Sequence, residues 1–338
     1  MPRLSGRHAL LQQLTAEGVT HVFGNPGSTE QAFMDALQDY PQLQYILALH
    51  EGVALGMADG YARASGRPAF VQLHIMPGLG NAMGMLYNSF RTHTPLVLYA
   101  GQHPQHGASQ EPILAGDLVR LAQPVTKWAA EAQDTAEIPF LLRRAFKVAM
   151  DPPRGPVLLS VPTNLMDEEA DVEIVPASYT SARPRPDPDA VERLADLIAG
   201  AESPIIICGD GVAIAGAQPE LVALAETIGA RVHASFSAEL PFPSDHPLYG
   251  GLLNAISGVG LKGQLASADL ILAVGTSVLP LLFPLDEAPL PEKAAIAHID
   301  LDPWELGKNW PIDLGILADP KLALIDLLAV LEQRLTPT

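Results

Sequence analysis

Residues 45–74 read YILALHEGVALGMADGYARASGRPAFVQLH. The apolar run at 45–49 stops at two polar residues, His50 and Glu51. A pattern of helical period follows over 52–64, and a second apolar run occupies 69–74. Strand, helix and strand within about thirty residues is the repeating unit of a parallel sheet, because the chain must cross back before it pairs in the same direction. The unit recurs on both sides. HVFG (21–24), PLVLYAG (95–101) and GPVLLSVP (155–162) are further apolar runs, and helical periods lie at 28–37 and in the N-terminal MPRLSGRHALLQQL. Residues 1–165 are therefore expected to form a doubly wound α/β layer.

Residues 166–187, MDEEADVEIVPASYTSARPRPD, break this rhythm with proline, serine and acid, and read as a linker. Alternation then resumes in PIIICG (204–209), RVHAS (231–235), DLILAVG (269–275), AAIAHID (294–300) and GILAD (315–319), with helices expected at 188–200, 216–229 and 320–334. A second, Rossmann-like α/β domain over 188–338 is the expectation.

The formal net charge of −18 argues against a nucleic-acid partner, which requires a basic face. Cys208 is the only cysteine, so neither an internal disulfide nor a thiolate zinc site is available. The N-terminus lacks the apolar core of a signal peptide, and no apolar run is long enough to span a bilayer. A soluble, cytoplasmic protein is expected.

In an open parallel sheet, ligands bind at the carboxyl ends of the strands. The loops there are GNPGS (24–28), HEG (50–52), HIMPGLGN (74–81) and GQHPQHG (101–107); three carry a histidine and one carries Glu51. Alone, an acid at a strand end is more often a helix cap than a catalyst. Gly52, Gly56 and Gly60 recur every four residues and line one helix face, a pattern that Gly80 and Gly84 repeat. Glycine costs roughly 1 kcal/mol against alanine inside a helix, so the stripe calls for a compensating close contact, within the fold or between subunits. His93, His103 and His106 have no zinc-like spacing and read as loop residues, while Met76, Met83 and Met85 read as core or pocket lining.

HVFGNPGSTE (21–30), residues 45–71 and GLGNAMGMLYNSFRTHTPLVLYAGQ (78–102) resemble the pyrimidine-binding domain of thiamine diphosphate enzymes. The likeness is strongest to benzoylformate decarboxylase, in the group that includes acetohydroxyacid synthase and pyruvate decarboxylase. ADLILAVGTS (268–277), HIDLDPWELG (298–307) and ILADP (316–320) resemble that group's central domain. The resemblance implies that Glu51 is the carboxylate that activates the cofactor by hydrogen bonding to its pyrimidine nitrogen. It implies that Ser28 contacts the substrate carboxylate; a helix N-cap before TEQAFMDAL is also a physically sound reading of that serine, and the two are compatible. His74 is implied to handle protons, and Asn25, Pro26, Gly27 and Asn81 to wrap the pyrimidine.

Two departures stand out. The group's second histidine aligns with Leu282, in VLPLLFPLD (278–286), which points to a different substrate or reaction. The domain that binds magnesium and the diphosphate is absent; the one GDG, at 209–211, follows a central-domain strand and lacks the paired asparagines that would supply further oxygen ligands. The chain ends at LLAVLEQRLTPT (327–338), so it is either a natural subunit or a gene cut at a domain boundary, the first being preferred. The expected function is a component of a C–C lyase acting on a 2-oxo acid or 2-hydroxyacyl substrate, with Mg2+ and the diphosphate held by a complementary subunit. Alternatives are a non-catalytic regulatory or nucleotide-binding module, or a truncated carboligase of the acetohydroxyacid synthase type.

Overall fold

The computed structural model describes residues 2–177, 182–254, 256–279, 281–285 and 289–334. It divides into two compact units, Met1–Thr180 and Ser181–Thr338.

The first unit opens with a short strand, β1 (Arg3–Ser5), and helix α1 (Gly6–Ala16). Then β2 (His21–Gly24), α2 (Gln31–Leu37), β3 (Gln44–Leu47), α3 (Glu51–Ser65), β4 (Ala69–Leu73), α4 (Ile75–Arg91) and β5 (Leu96–Gln102) alternate. The unit continues through α5 (Leu118–Ala122), β6 (Trp128–Glu131), α6 (Ile138–Met150), β7 (Val157–Pro162), α7 (Thr163–Asp167) and β8 (Glu169–Asp171). Six strands pair in parallel in the order β3-β2-β4-β5-β7-β6. Apolar side chains cover both faces. Phe70 packs with Leu10, Leu14 and Val97 on one side, and Val71 and Leu73 pack with Leu55, Leu79 and Leu98 on the other. Burying each such side chain contributes about 1.5–3 kcal/mol, which is why these strands read as continuous apolar runs.

The second unit runs α8 (Pro188–Ala199), β9 (Pro204–Cys208), α9 (Asp210–Ala215), α10 (Gln218–Ile228), β10 (Arg231–Ala234) and β11 (Tyr249–Leu252). It ends with α11 (Gly258–Leu265), β12 (Leu270–Val274), β13 (Ala295–Asp300), β14 (Leu314–Leu317) and α12 (Pro320–Arg334). Its sheet is also parallel and six-stranded, in the order β11-β10-β9-β12-β13-β14. The helix expected at 216–229 begins at Gln218, because Gly216 takes a left-handed conformation and ends α9 instead. Among the described residues no helix is long and apolar enough to cross a membrane.

The stretch expected as a linker, 166–187, is engaged at both ends. α7 spans its start, and β8 pairs antiparallel with β1 through Arg3↔Asp171, Leu4↔Ala170 and Ser5↔Glu169. Val175 exchanges hydrogen bonds with the Gln13 side chain. At the far end, Arg183 donates twice to Asp319 at the start of α12, and Arg185 pairs with Asp326. Residues 178–181 lie outside the described residues.

In the second unit, Gly211 and Gly275 bring the loops after β9 and β12 into backbone contact; a Cβ on Gly211 would sit 2.6 Å from the Gly275 Cα. Gly275 also has φ +61°. Cys208, at the end of β9, has no exposed surface, and burial pushes its thiol up to about 12. Two consequences follow for the native chain at pH 8. Cys208 resists thiol reagents until the second unit opens, and Gly275→Ala, destabilised by about 2 kcal/mol from strain and overlap, accelerates that labelling more than tenfold. Labelling kinetics with a chromogenic disulfide check both; equal rates in the two proteins would count against the contact.

Candidate active site

The chain leaves β2 in one direction to form β3 and returns to place β4 on its other side, so the order reverses between β2 and β4. That switch point leaves a crevice beyond the strand ends. Residues of three loops meet there.

Glu51 is the first residue of α3 and is 5 % exposed. His50 caps the helix, its Nδ1 accepting from the Gly52 amide at 3.0 Å. The capping role open to Glu51 therefore belongs to its neighbour, and the carboxylate is left for other partners. Asn25 Nδ2 donates to Oε1 at 3.2 Å, and Asn81 Nδ2 donates to Oε2 at 2.9 Å. Both oxygens are thus held by neutral amides, and the first turn of α3 adds a helix-terminal field worth about 0.3–1 kcal/mol to the negative charge. Gly78 makes room for this carboxylate, since a Cβ there would lie 3.0 Å from Oε1.

His74 directly precedes α4 and is partly buried. Its Nδ1 lies 2.9 Å from Glu30 Oε2 and 3.2 Å from Thr29 Oγ1. A ring N–H that donates to a carboxylate fixes the proton on Nδ1 and leaves Nε2 to exchange protons. The next residue, Ile75, is fully buried with φ 36°. A β-branched residue there is a strained outlier costing about 1–3 kcal/mol, so packing around Ile75 holds the start of α4, and with it the ring, in place.

Glu30 was not singled out from sequence, yet it organises this cluster. It has no exposed surface. Oε2 accepts from the Gly27 amide at 2.9 Å as well as from His74, and Oε1 accepts from Thr29 Oγ1 at 2.6 Å and the Gly101 amide at 3.0 Å. Its charge adds to burial in pushing the Tyr45 and Tyr99 phenols up, burial being the larger cause. The available signal was a glutamate three residues after Gly27, the spacing of a carboxylate that reaches back to a helix start.

Asn25, Pro26 and Gly27 form the loop between the two carboxylates, and Gly27 has no room for a side chain because a Cβ would lie 2.2 Å from the His74 ring. Ser28 is exposed and is the first residue of a 3-10 turn whose cap position is Gly27. The N-cap reading of Ser28 is therefore corrected: the Glu30 side chain satisfies the Gly27 amide, and Ser28 Oγ plays no capping part. His93 Nδ1 lies 3.2 Å from the Arg154 carbonyl, His103 Nε2 lies 2.8 Å from the Ile113 carbonyl, and His106 is exposed. Met76, Met83 and Met85 pack against the core around α3 and α4.

Of the glycine stripes, only Gly52 makes a close approach within the unit, with the Asn81 carbonyl 3.3 Å from its would-be Cβ. Gly56 meets just Met85 Cε at 3.6 Å, and Gly60, Gly80 and Gly84 meet nothing within 4 Å. Packing inside this unit does not account for them. In the second unit, Asp210 of the GDG accepts from the Ala238 and Glu239 amides and holds that loop. Leu282 is 59 % exposed; Pro280 and Asp286 of its segment lie outside the described residues. Among the described residues no group of three or more histidine, cysteine, aspartate or glutamate side chains could hold a metal ion.

Residues 4–121 match the thiamine pyrophosphate (thiamine diphosphate) enzyme N-terminal domain, and residues 191–327 match the central domain of the same enzymes. The chain belongs to the thiamine diphosphate enzyme family. It is 38 % identical to benzoylformate decarboxylase of Pseudomonas aeruginosa over 93 % of this chain and 60 % of that protein. It is 34 % identical to a Methanocaldococcus jannaschii protein described as a probable acetolactate synthase large subunit, over 97 % of this chain and 56 % of that one. The crystal structure of benzoylformate decarboxylase from Polynucleobacter necessarius superposes with a TM-score of 0.89 at 33 % identity, over 96 % of this chain and 61 % of that one. The chain thus spans little more than half the length of the curated relatives it matches.

The Glu30 cluster makes a direct prediction. Glu30→Gln turns one of the two acceptor oxygens into a donor facing a backbone amide, that of Gly27 or of Gly101, and an unsatisfied buried group costs about 1–3 kcal/mol, more when a charge is involved. Urea unfolding of the first unit should shift to lower denaturant by that amount; an unchanged midpoint would contradict the assigned hydrogen bonds.

Proposed function

We propose that this chain supplies the pyrimidine-side half of a thiamine diphosphate site in an enzyme that makes or breaks a C–C bond of a 2-oxo acid or 2-hydroxyacyl compound. The observation that carries the reading is the Glu51 carboxylate, buried at the start of α3 and held on both oxygens by asparagine amides. The donor set fits an aminopyrimidine. A shielded carboxylate, kept free of a lysine or arginine by two neutral amides, can share a proton with a ring nitrogen. When bound, thiamine diphosphate supplies a thiazolium carbon that becomes a nucleophile toward a carbonyl.

The chain's own residues then have distinct tasks. Glu51 holds a proton at its carboxyl oxygens, with Asn25 and Asn81 fixing the carboxyl plane. His74, anchored through Nδ1 by Glu30, takes or gives a proton at Nε2. Ser28, exposed on the same loop, is available to the substrate carboxylate, and Pro26 and Gly27 keep that loop compact. Mg2+ and the diphosphate are assigned to a separate domain or subunit.

The partner's seat is proposed on α3 and α4. Gly60, Gly80 and Gly84 front open space, and Val53 and Tyr87 beside them are 55 % and 54 % exposed. Small residues let a second backbone approach closely, and the flanking apolar groups would be buried by it. Whether a second copy or the diphosphate-bearing polypeptide sits there, the same face serves.

Glu51→Gln should abolish turnover of a 2-oxo acid by the complex reconstituted with a diphosphate-binding partner, lowering kcat at least a hundredfold. Its thermal midpoint should stay near that of the parent chain, because the asparagine amide that meets the new NH2 can turn its oxygen toward it, as the backbone amides around Glu30 cannot. Turnover at the parental rate in this variant would refute the reading.

A further inference from the structure

The polar pair Tyr45 and Gln72 lies beneath the Asn25–Glu30 loop and has no part in the chemistry described above. Tyr45 is on β3 and Gln72 on β4, and β2 runs between them. In register, Gly24 stands opposite Leu47 on one side and Gln72 on the other, while Tyr45 stands opposite Val22. Tyr45 therefore reaches along its own strand and across Gly24 for its hydroxyl to donate to Gln72 Oε1. Gly24 makes this possible: a Cβ there would lie 2.4 Å from the Tyr45 hydroxyl and 2.6 Å from Gln72 Oε1.

Gln72 has no exposed surface. Its amide nitrogen, turned outward by the tyrosine bond, faces the carbonyl of Asn25 at 3.5 Å. Asn25 is the residue whose side chain donates to Glu51, and two residues later the Gly27 amide donates to Glu30. The phenol also feels Glu30, whose charge reinforces the effect of burial on Tyr45. A buried glutamine on a strand is costly unless both ends of its amide are used, and here each end has one partner.

We propose that Tyr45 and Gln72 act as one strut that positions the Asn25–Glu30 loop, setting where Asn25 meets Glu51 and where Glu30 meets His74. These are positioning residues, since neither reaches the carboxylate of Glu51. The inference rests on the reading of Glu51 and His74 as the working groups, but its first test does not.

Hydrogen–deuterium exchange of the full chain tests it by following the backbone amides of residues 25–30 in Tyr45→Phe, Gln72→Met and the double variant. Tyr45→Phe removes a single hydroxyl and keeps the ring packed, so its fold is secure. Each single change should speed exchange of the segment about tenfold, as loss of one buried hydrogen bond implies, and the double variant should be no faster than either single one. In the reconstituted enzyme the same variants should lower kcat with KM for the 2-oxo acid unchanged. Exchange at the parental rate in Tyr45→Phe overturns the strut, and so does a double variant whose acceleration equals the product of the two. Because exchange is read on the chain by itself, its failure is distinct from failure of the catalytic reading, which rests on Glu51→Gln.

Discussion

A carboxylate with no exposed surface, Glu30, dictates the arrangement of the first unit's functional edge. Taking such a group out of water costs several kcal/mol unless hydrogen bonds replace the lost hydration. Its four donors come from the loop after β2, the end of β5 and the cap of α4. Three segments spread over seventy-five residues of sequence (27 to 101) must therefore converge on one point. Gly27 and Gly101 are part of the same solution, because a side chain on either would enter the space of His74 or of Glu30 itself.

The second carboxylate is satisfied more lightly. Glu51 receives two side-chain amides and the field of one helix, and Gly78 leaves the room its carboxylate occupies. The contrast assigns the roles. A carboxylate saturated by backbone amides is fixed in place and orients others, whereas one held at its edges by two asparagines can still accept a further donor. On the reading proposed above, the chemistry falls to Glu51 and the architecture to Glu30. His74 links them, anchored by the second and placed by the strained turn at Ile75.

The parallel strands were legible because both faces of the sheets are covered, so apolar residues run without interruption in β4, β5 and β7. Of the four edge strands of the parallel sheets, β6 (WAAE) and β11 (YGGL) escaped notice because neither carries an apolar run, whereas β3 (QYIL) and β14 (LGIL) do. β1 and β8 were missed since three-residue strands in a polar context have no periodicity to detect, and β8 sat in what looked like a linker. Glu51, His74, Asn25 and Asn81 could be picked out through their motifs, and the structure gathers them at one crevice. Glu30 was passed over, since its one local signal, a glutamate three residues after Gly27, is the same whether the carboxylate is buried or solvated. Likewise the spacing of Gly56 and Gly60 identified a helix face, but only the coordinates show that this face is open.

The two sheets are both parallel and six-stranded but differ in strand order, and they use glycine at their switch points in opposite ways. In the second unit, Gly211 and Gly275 press two backbones together between β9 and β12, and the Gly211 amide donates to the Gly275 carbonyl at 2.9 Å. The Asp210 side chain, between Gly209 and Gly211, secures the loop at 237–239. Backbone fills that crevice. In the first unit, Gly24 and Gly27 withdraw the backbone instead, and the vacated space takes the Tyr45 hydroxyl, the Gln72 amide and the His74 ring. The crevice between β2 and β4 is consequently walled by titratable and hydrogen-bonding side chains. A parallel α/β sheet does not by itself carry a function. On the reading proposed above, the side chains admitted at the first unit's strand ends, and the backbone contact that takes their place in the second, separate the two.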